Sequence, residues 1–194
     1  MTTEAPVAPT RERLLAAATG LCAEQGWSAL TVVALADRAG VSRQTVYNTF
    51  GSRTGLARAL VDRELERLLA VVDAGLPGSG DLAGDVTRTV AAVLALGRGT
   101  PLLAAAVSAS HGARTDLLPL LTVDAPPLVA TARALVVEIL TVRYRSTLPP
   151  SGLVALADTV VRTVLSHLLQ APEDDASAAA GLGWLVARIT DEPR

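Results

Sequence analysis

The 194-residue chain contains no lysine: all 17 basic side chains are arginine, set against 19 Asp and Glu for a net charge of −2. Overall charge therefore gives no hold on a polyanion, and any such partner needs a local basic cluster. Aromatic residues are almost as scarce, at 3% (Trp27, Tyr47, Phe50, Tyr144 and Trp184), while apolar residues reach 50%. A core of Ala, Val and Leu favours helices. The prevailing apolar spacing of i, i+3, i+4, i+7 agrees, where strands would call for β-branched and aromatic residues in alternation. The single cysteine, Cys22, excludes an intrachain disulfide, suits a reducing compartment and is expected as a small buried hydrophobe. Two histidines, His111 and His167, make no zinc-like set, there is no phosphate loop, and Gly181-Leu-Gly183 is an isolated fragment of a dinucleotide fingerprint. No metal or cofactor is expected. The opening MTTEAPVAPT lacks the basic and apolar regions of a signal peptide. The longest uncharged stretch, 99–113, is too short and too broken by Gly, Pro, Ser and His to span a bilayer. These absences together point to a soluble, cytoplasmic, all-α protein with no membrane partner.

The charge that is present is uneven. Residues 1–63 carry seven Arg against five acids, and the remainder ten Arg against fourteen. A mildly basic end sits on an acidic body, which is compatible with a polyanion partner at the N-terminal end.

Stop and start residues divide the chain. Thr10 can cap a first helix that ends at Gly26, Thr31 opens a short second helix closed by Gly40, and Ser42 caps a third closed by Gly51. A longer helix runs from Ser52 to about Ala74, with Val61, Leu65, Leu68 and Val72 on one stripe, and its length suggests a connector. Gly and Pro then cluster over 75–80. Further helices are expected at about 82–97, 101–110, 125–145, 151–170 and 175–190, bounded by Pro126-Pro127, Pro149-Pro150 and Pro172. The segment 151–170 is apolar nearly all round, which implies burial on several sides. With the Leu182, Leu185, Val186, Ile189 stripe of the last helix it suggests a helix-pair interface with a second copy. One larger intrachain bundle is the alternative.

The residues 39–50, AGVSRQTVYNTF, hold the most polar short helix of an aliphatic chain. Two helices joined by a tight turn form a helix-turn-helix when small residues sit at the crossing and a left-handed position is tolerated in the turn. Ala36 supplies the first and Gly40 the second. Val41 and Val46 can plug the space between the helices, and Ser42 caps a helix N-terminus suited to a phosphate. Val46 and Phe50 face inward. Arg43, Gln44, Thr45, Tyr47, Asn48 and Thr49 are too polar for a core and form a face able to enter a major groove. An ordinary solvated face on a helical hairpin is the competing reading.

The segments RERLLAAATGLCAEQGW, TVVALADRAGVSRQTVYNTF and GSRTGLARAL, in that order and spacing, resemble the tetracycline-repressor (TetR/AcrR) family of bacterial transcription regulators. Gly26, Thr31, Val32, Ala36, Ala39, Gly40, Val41, Ser42, Thr45, Tyr47, Phe50 and Leu56 match its pattern. Arg53 stands where the family usually has Lys, Thr49 where it often has His or Tyr, and Gln44 where a small residue is common. The segment VSRQTVYNTFGSR also resembles actinobacterial members linked to alkane or lipid metabolism.

The resemblance implies a helix-turn-helix DNA-binding domain at 10–55 (motif 31–50) and a ligand-binding and dimerisation domain at 56–194. It implies a ligand-responsive repressor, binding double-stranded operator DNA as a homodimer. DNA contacts are expected from Thr31, Ser42, Arg43, Gln44, Thr45, Tyr47, Asn48 and Arg53. The dimer interface is expected at Val160, Val161, Val164, Leu168, Leu182, Leu185 and Ile189. Between Phe50 and Tyr144 there is no aromatic residue. A pocket in the middle helices is thus expected to be walled by Val86, Val90, Val93, Leu94, Leu102, Leu103, Val107, Leu117, Leu121 and Val129, with Arg98, His111, Arg114 or Arg133 able to meet a carboxylate. Such a wall favours a small hydrophobic, fatty-acid-like effector over planar or cationic drugs, which rely on stacking. A helical protein-interaction module, or an enzyme acting on acyl substrates, stands as the alternative.

Overall fold

The computed structural model describes residues 10–110, 117–146, 148–170 and 174–190. Among them are ten α-helices and no strand. Three short helices come first: α1 (Thr10–Gln25), α2 (Val32–Ala39) and α3 (Arg43–Phe50), with a single 3-10 turn at Trp27–Ala29. Each is ended as the sequence requires. Gly26 and Gly51 adopt φ of 79° and 72°, and Gly40 takes the left-handed conformation (φ 65°, ψ 38°) from which Val41 N–H returns to Ala36 O at 3.0 Å. Leu14, Leu15, Ala18, Leu30, Leu35 and Val46 are buried between these helices.

The long α4 (Arg53–Gly75) follows, then α5 (Leu82–Arg98), α6 (Pro101–Ser110), α7 (Leu117–Leu121), α8 (Pro126–Val142), α9 (Pro150–Leu168) and α10 (Asp175–Thr190). The five-residue α7 was not expected; a segment that short carries no readable period. The domain division expected after residue 55 falls in the first turn of α4, so one continuous helix spans it. Apolar faces of α4, α5, α8 and α9 turn toward one another, and α10 lies along α5. That last contact is close: a Cβ on Gly183 would collide with Thr87 and lie 2.9 Å from Ala83 O. By length and composition, residues Pro119–Val142 could cross a membrane, with a mean hydropathy of 1.5. The segment is nevertheless interrupted by a turn at 122–124, and Arg133 in it pairs with Asp158 of α9 at 3.2 Å.

Polar clamps fix the ends of the larger bundle. Arg143, just after α8, donates to Asp73 O at 2.6 Å and Leu76 O at 3.0 Å and pairs with the Asp73 carboxylate at 2.5 Å. Asp85 is buried and accepts from Ser79, Tyr144 and Arg88. Burial pushes its carboxyl up, but these three hydrogen bonds outweigh that and hold it below the ordinary carboxylate range. Tyr144 is pushed up to about 12 by burial and by its bond to Asp85.

Candidate functional site

The turn between α2 and α3 and the exposed side of α3 form the first site. Thr31 Oγ1 accepts from Ala34 N at 3.1 Å and caps α2; Ser42 Oγ accepts from Thr45 N at 3.1 Å and caps α3. With Val46 buried and Phe50 packed against the core, α3 has one fixed orientation. Arg43, Gln44, Tyr47 and Asn48 are left exposed on its outer side. Gln44 Nε2 donates to Asn48 Oδ1 at 2.8 Å, so these two amides are pre-arranged beside each other. Thr45 and Thr49 are half-buried, and Thr49 Oγ1 is spent on Thr45 O at 2.7 Å within its own helix. Its hydroxyl therefore does not point outward. Arg53 begins α4 and is half-buried, with its guanidinium 5.7 Å from the Trp27 ring centre. A cation over an aromatic face is held in place, which makes Arg53 a positioned charge at a helix N-terminus. Cys22 is buried nearby. Burial pushes its thiol up to about 11, Arg53 lowering it only in part, so it stays protonated and unreactive at neutral pH.

The second site is a cavity of about 150 Å³ inside the bundle. From α4 it takes Val61, Glu64, Leu65, Leu68, Leu69 and Val72, with Leu76 just beyond; from α5 Val86, Thr89, Val90 and Val93; from α6 and α7 Leu102, Leu103 and Leu121. Helix α8 adds Leu128, Val129, Ala132, Val136 and Leu140, α9 adds Leu156, Val160, Val161, Val164, Leu165 and Leu168, and α10 adds Val186. Among the described residues no aromatic borders it, and Glu64 and Thr89 are the polar ones that do. Thr89 Oγ1 and Glu64 Oε1 are buried without a hydrogen-bond partner.

Of the expected pocket residues, Val86, Val90, Val93, Leu102, Leu103, Leu121 and Val129 line this cavity. Leu94 is fully buried in the core and Val107 half-buried, neither bordering the cavity. His111, Arg114 and the Leu117 side chain lie outside the described residues. Arg98 is committed elsewhere: it pairs with Asp175 at 2.9 Å and donates to Gln170 O and His167 O, tying α5 to α9 and α10. Arg133 is likewise paired with Asp158.

The residues expected between two copies differ in their burial within the single chain. Val160, Val161, Val164 and Leu168 turn toward the protomer's own cavity, and Leu182 is buried along with Val186, on a helix that lies along α5. A helix apolar all round was read as packing on two protein neighbours, yet one of its faces borders a cavity. Leu185 remains half-buried and Ile189 is 37% exposed. Beside them Trp184 is 62% exposed with Arg188 over its ring, and Val154 of α9 is 42% exposed. Trp184 was passed over because it lies off the Leu182–Ile189 stripe. The α4 stripe was taken for a connector; it is a cavity wall as well.

One helix joins the two sites. The start of α4 is pressed on the end of α3 so closely that a Cβ on Gly55 would collide with Phe50 O. From there α4 forms the cavity wall from Val61 to Val72, about 16 Å along its axis at the usual helical rise. The same helix thus touches α3 at one end and walls the cavity along the rest of its length.

Known proteins match both parts. Residues 14–60 match the family model for bacterial regulatory proteins of the tetR family, and residues 81–188 the one for the bacterial tetracyclin repressor C-terminal domain. The chain is 34% identical over 189 residues to the HTH-type transcriptional regulator AlkX of Mycobacterium tuberculosis, covering 97% of this chain and 88% of that protein. Among solved structures, the TetR family repressor AlkX from Dietzia sp., implicated in biodegradation of n-alkanes, superimposes with a TM-score of 0.75 at 28% identity, covering 97% and 96% of the two chains. A TetR-family regulator from Pectobacterium atrosepticum shares the fold, with a TM-score of 0.66 at 21% identity over 95% and 96%. The chain belongs to the tetR family of bacterial regulatory proteins and is a DNA-binding transcriptional regulator, not an enzyme.

Proposed function

We propose that the protein is a repressor that binds an approximately palindromic operator as a homodimer and is released by a small aliphatic effector, acting in the cytoplasm. Regulators of this family bind operator DNA as dimers and take small-molecule effectors. The wall of the cavity carries the choice of effector class: among the described residues, apart from Glu64 and Thr89, it is Val, Leu and Ala, with no ring to stack on a planar molecule. The relative implicated in n-alkane biodegradation points the same way.

In this reading Arg43, Gln44, Tyr47 and Asn48 meet base edges, while the Ser42-capped N-terminus, Thr31, Thr45 and Arg53 meet phosphates. Two-fold symmetry sets the half-sites about 34–36 Å apart, or a little more. Dimerisation uses the outward side of α9 and α10, where Val154, Trp184, Leu185 and Ile189 leave apolar surface and Ala180 and Gly181 leave room for close approach. A filled cavity biases α4 toward a spacing of the two α3 helices that no longer fits the operator. A differential affinity of about 3 kcal/mol, at the upper end of usual couplings, weakens binding roughly 150-fold.

The DNA half is tested by selecting binding sites from random duplex DNA and measuring affinity by fluorescence anisotropy. Arg43→Ala is expected to weaken binding to the selected site by about 1–3 kcal/mol, with Tyr47→Ala also weakened and both variants still dimeric. Selected sequences without inverted symmetry, or unchanged affinity in both variants, would refute it.

A further inference from the structure

A second space, of mixed lining that includes three charged side chains, adjoins the apolar cavity. It measures about 250 Å³ and lies where α1, α4 and the start of α6 meet, bordered by Thr19 and Cys22, by Arg63, Glu64 and Arg67, and by Thr100. Glu64 and Leu102 border both spaces, which places these two residues between them.

The charges in this chamber are already matched. Arg63 Nε lies 3.6 Å from Glu12 Oε1, and Arg67 Nη1 lies 3.1 Å from Glu64 Oε2. What is left over is one acceptor and one donor: Glu64 Oε1 and Arg63 Nη1 are buried and have no hydrogen-bond partner. An anionic head entering here would bring a second negative charge beside Glu64 with no uncompensated cation to meet it. A hydroxyl supplies both missing halves, donating its proton to Glu64 Oε1 and accepting from Arg63 Nη1. Thr19 and Thr100 do not compete for these groups, since their hydroxyls donate to Leu15 O and Gly97 O.

We propose that the chamber between α1, α4 and α6 holds the hydroxyl head of a long-chain primary alcohol, engaged by Glu64 and Arg63, while its alkyl chain occupies the adjoining cavity. This rests on the aliphatic-effector reading above and narrows it. The chain has room: from Glu64 to Leu76, just beyond the end of α4, the lining extends about 18 Å at the usual helical rise. The head lies against α1 of the reading unit, beside the Glu12–Arg63 pair that links α1 to α4. Thr89, whose hydroxyl also lacks a partner, sits opposite Gly75 toward the far end of α4.

Competitive displacement of a fluorescent alkyl probe from the full-length protein, using decan-1-ol, decanoate and n-decane presented from cyclodextrin, separates the outcomes. Decan-1-ol is expected to bind at least about tenfold more tightly than n-decane, the worth of one charge-assisted hydrogen bond, and more tightly than decanoate. Glu64→Leu removes that preference and leaves n-decane binding in place, Glu64→Gln retains part of it, and Thr89→Val leaves it unchanged. Should Glu64→Leu not fold, Arg63→Met removes the donor instead, and the wild-type ranking decides the matter by itself. Equal binding of all three probes overturns the hydroxyl site while the aliphatic reading stands. Tighter binding of decanoate, or loss of the preference in Thr89→Val alone, also overturns it. Binding of none of them overturns both readings.

Discussion

Filling the cavity should stabilise the protein by an amount its volume sets. The space of about 150 Å³ is lined by aliphatic side chains that lack contacts on one side. At about 24 cal/mol per Å³, an empty cavity of this size costs up to about 3.6 kcal/mol, which is also the most that a well-fitting alkyl chain can restore by filling it. For a chain of this length each kcal/mol moves Tm by about 2–4 °C, so saturation with such a ligand should raise Tm by about 7–14 °C. Differential scanning fluorimetry with a series of alkyl chains measures this directly. Val90→Phe, which occupies part of the same space, should raise Tm of the free protein and shrink the ligand-induced shift. If alkyl chains of any length leave Tm unmoved while a planar aromatic cation raises it, the reasoning from the aliphatic wall is wrong. The same magnitude bears on mechanism, since it exceeds the roughly 3 kcal/mol needed to weaken operator binding 150-fold.

Other perturbations have definite signs. Ser42→Ala removes the hydroxyl that accepts from Thr45 N, which should cost about 1 kcal/mol of stability and lower Tm by about 2–4 °C, together with operator affinity. Because the Asp85 carboxyl is held below its ordinary value in the folded protein, its contribution is complete above about pH 4 and is lost as pH falls through the folded value. Asp85→Asn should therefore lower stability at neutral pH by on the order of 2 kcal/mol, with urea melts of variant and wild type converging as the pH drops below about 4. A constant gap down to the acid limit would contradict this. Gly183→Val, forced against Thr87 and Ala83 O, should separate α10 from α5 and lower Tm by about 2–12 °C, the range expected for overpacking by 1–3 kcal/mol.

Much of the fold was legible because local chemistry decides it. Gly26, Gly40 and Gly51 had to end helices, and Thr31, Ser42 and Ser52 had to start them; each does so in the structure, with Ser52 Oγ accepting from Gly55 N at 3.0 Å. The exposed face of α3 was legible for a related reason, as no core accommodates Arg43, Gln44 and Asn48 in succession. The cavity was legible only in part. Its chemistry follows from the missing aromatics, but periodicity cannot say whether an apolar face meets a helix, a second copy or empty space. Hence Val160, Val161, Val164 and Leu168, expected at an interface, are also found lining the cavity, and Val61, Leu65, Leu68 and Val72, expected as a connector, wall it as well. Arg98 looked available for a carboxylate, and only the return of α10 brings Asp175 against it from 77 positions along the chain. Glu64 and Arg63 carried no signal, since a Glu beside two Arg on a long helix looks like any solvated face until α1 and α6 close over it.

The proposed switch couples an aliphatic-filled cavity to a DNA-reading head through one helix. Its most direct test is fluorescence anisotropy of a duplex carrying the selected operator, titrated with the protein at fixed salt with and without saturating decan-1-ol. Dimer binding is expected in the absence of ligand, and affinity about 150-fold weaker with the cavity filled. Operator affinity unchanged by a ligand that demonstrably raises Tm would contradict it.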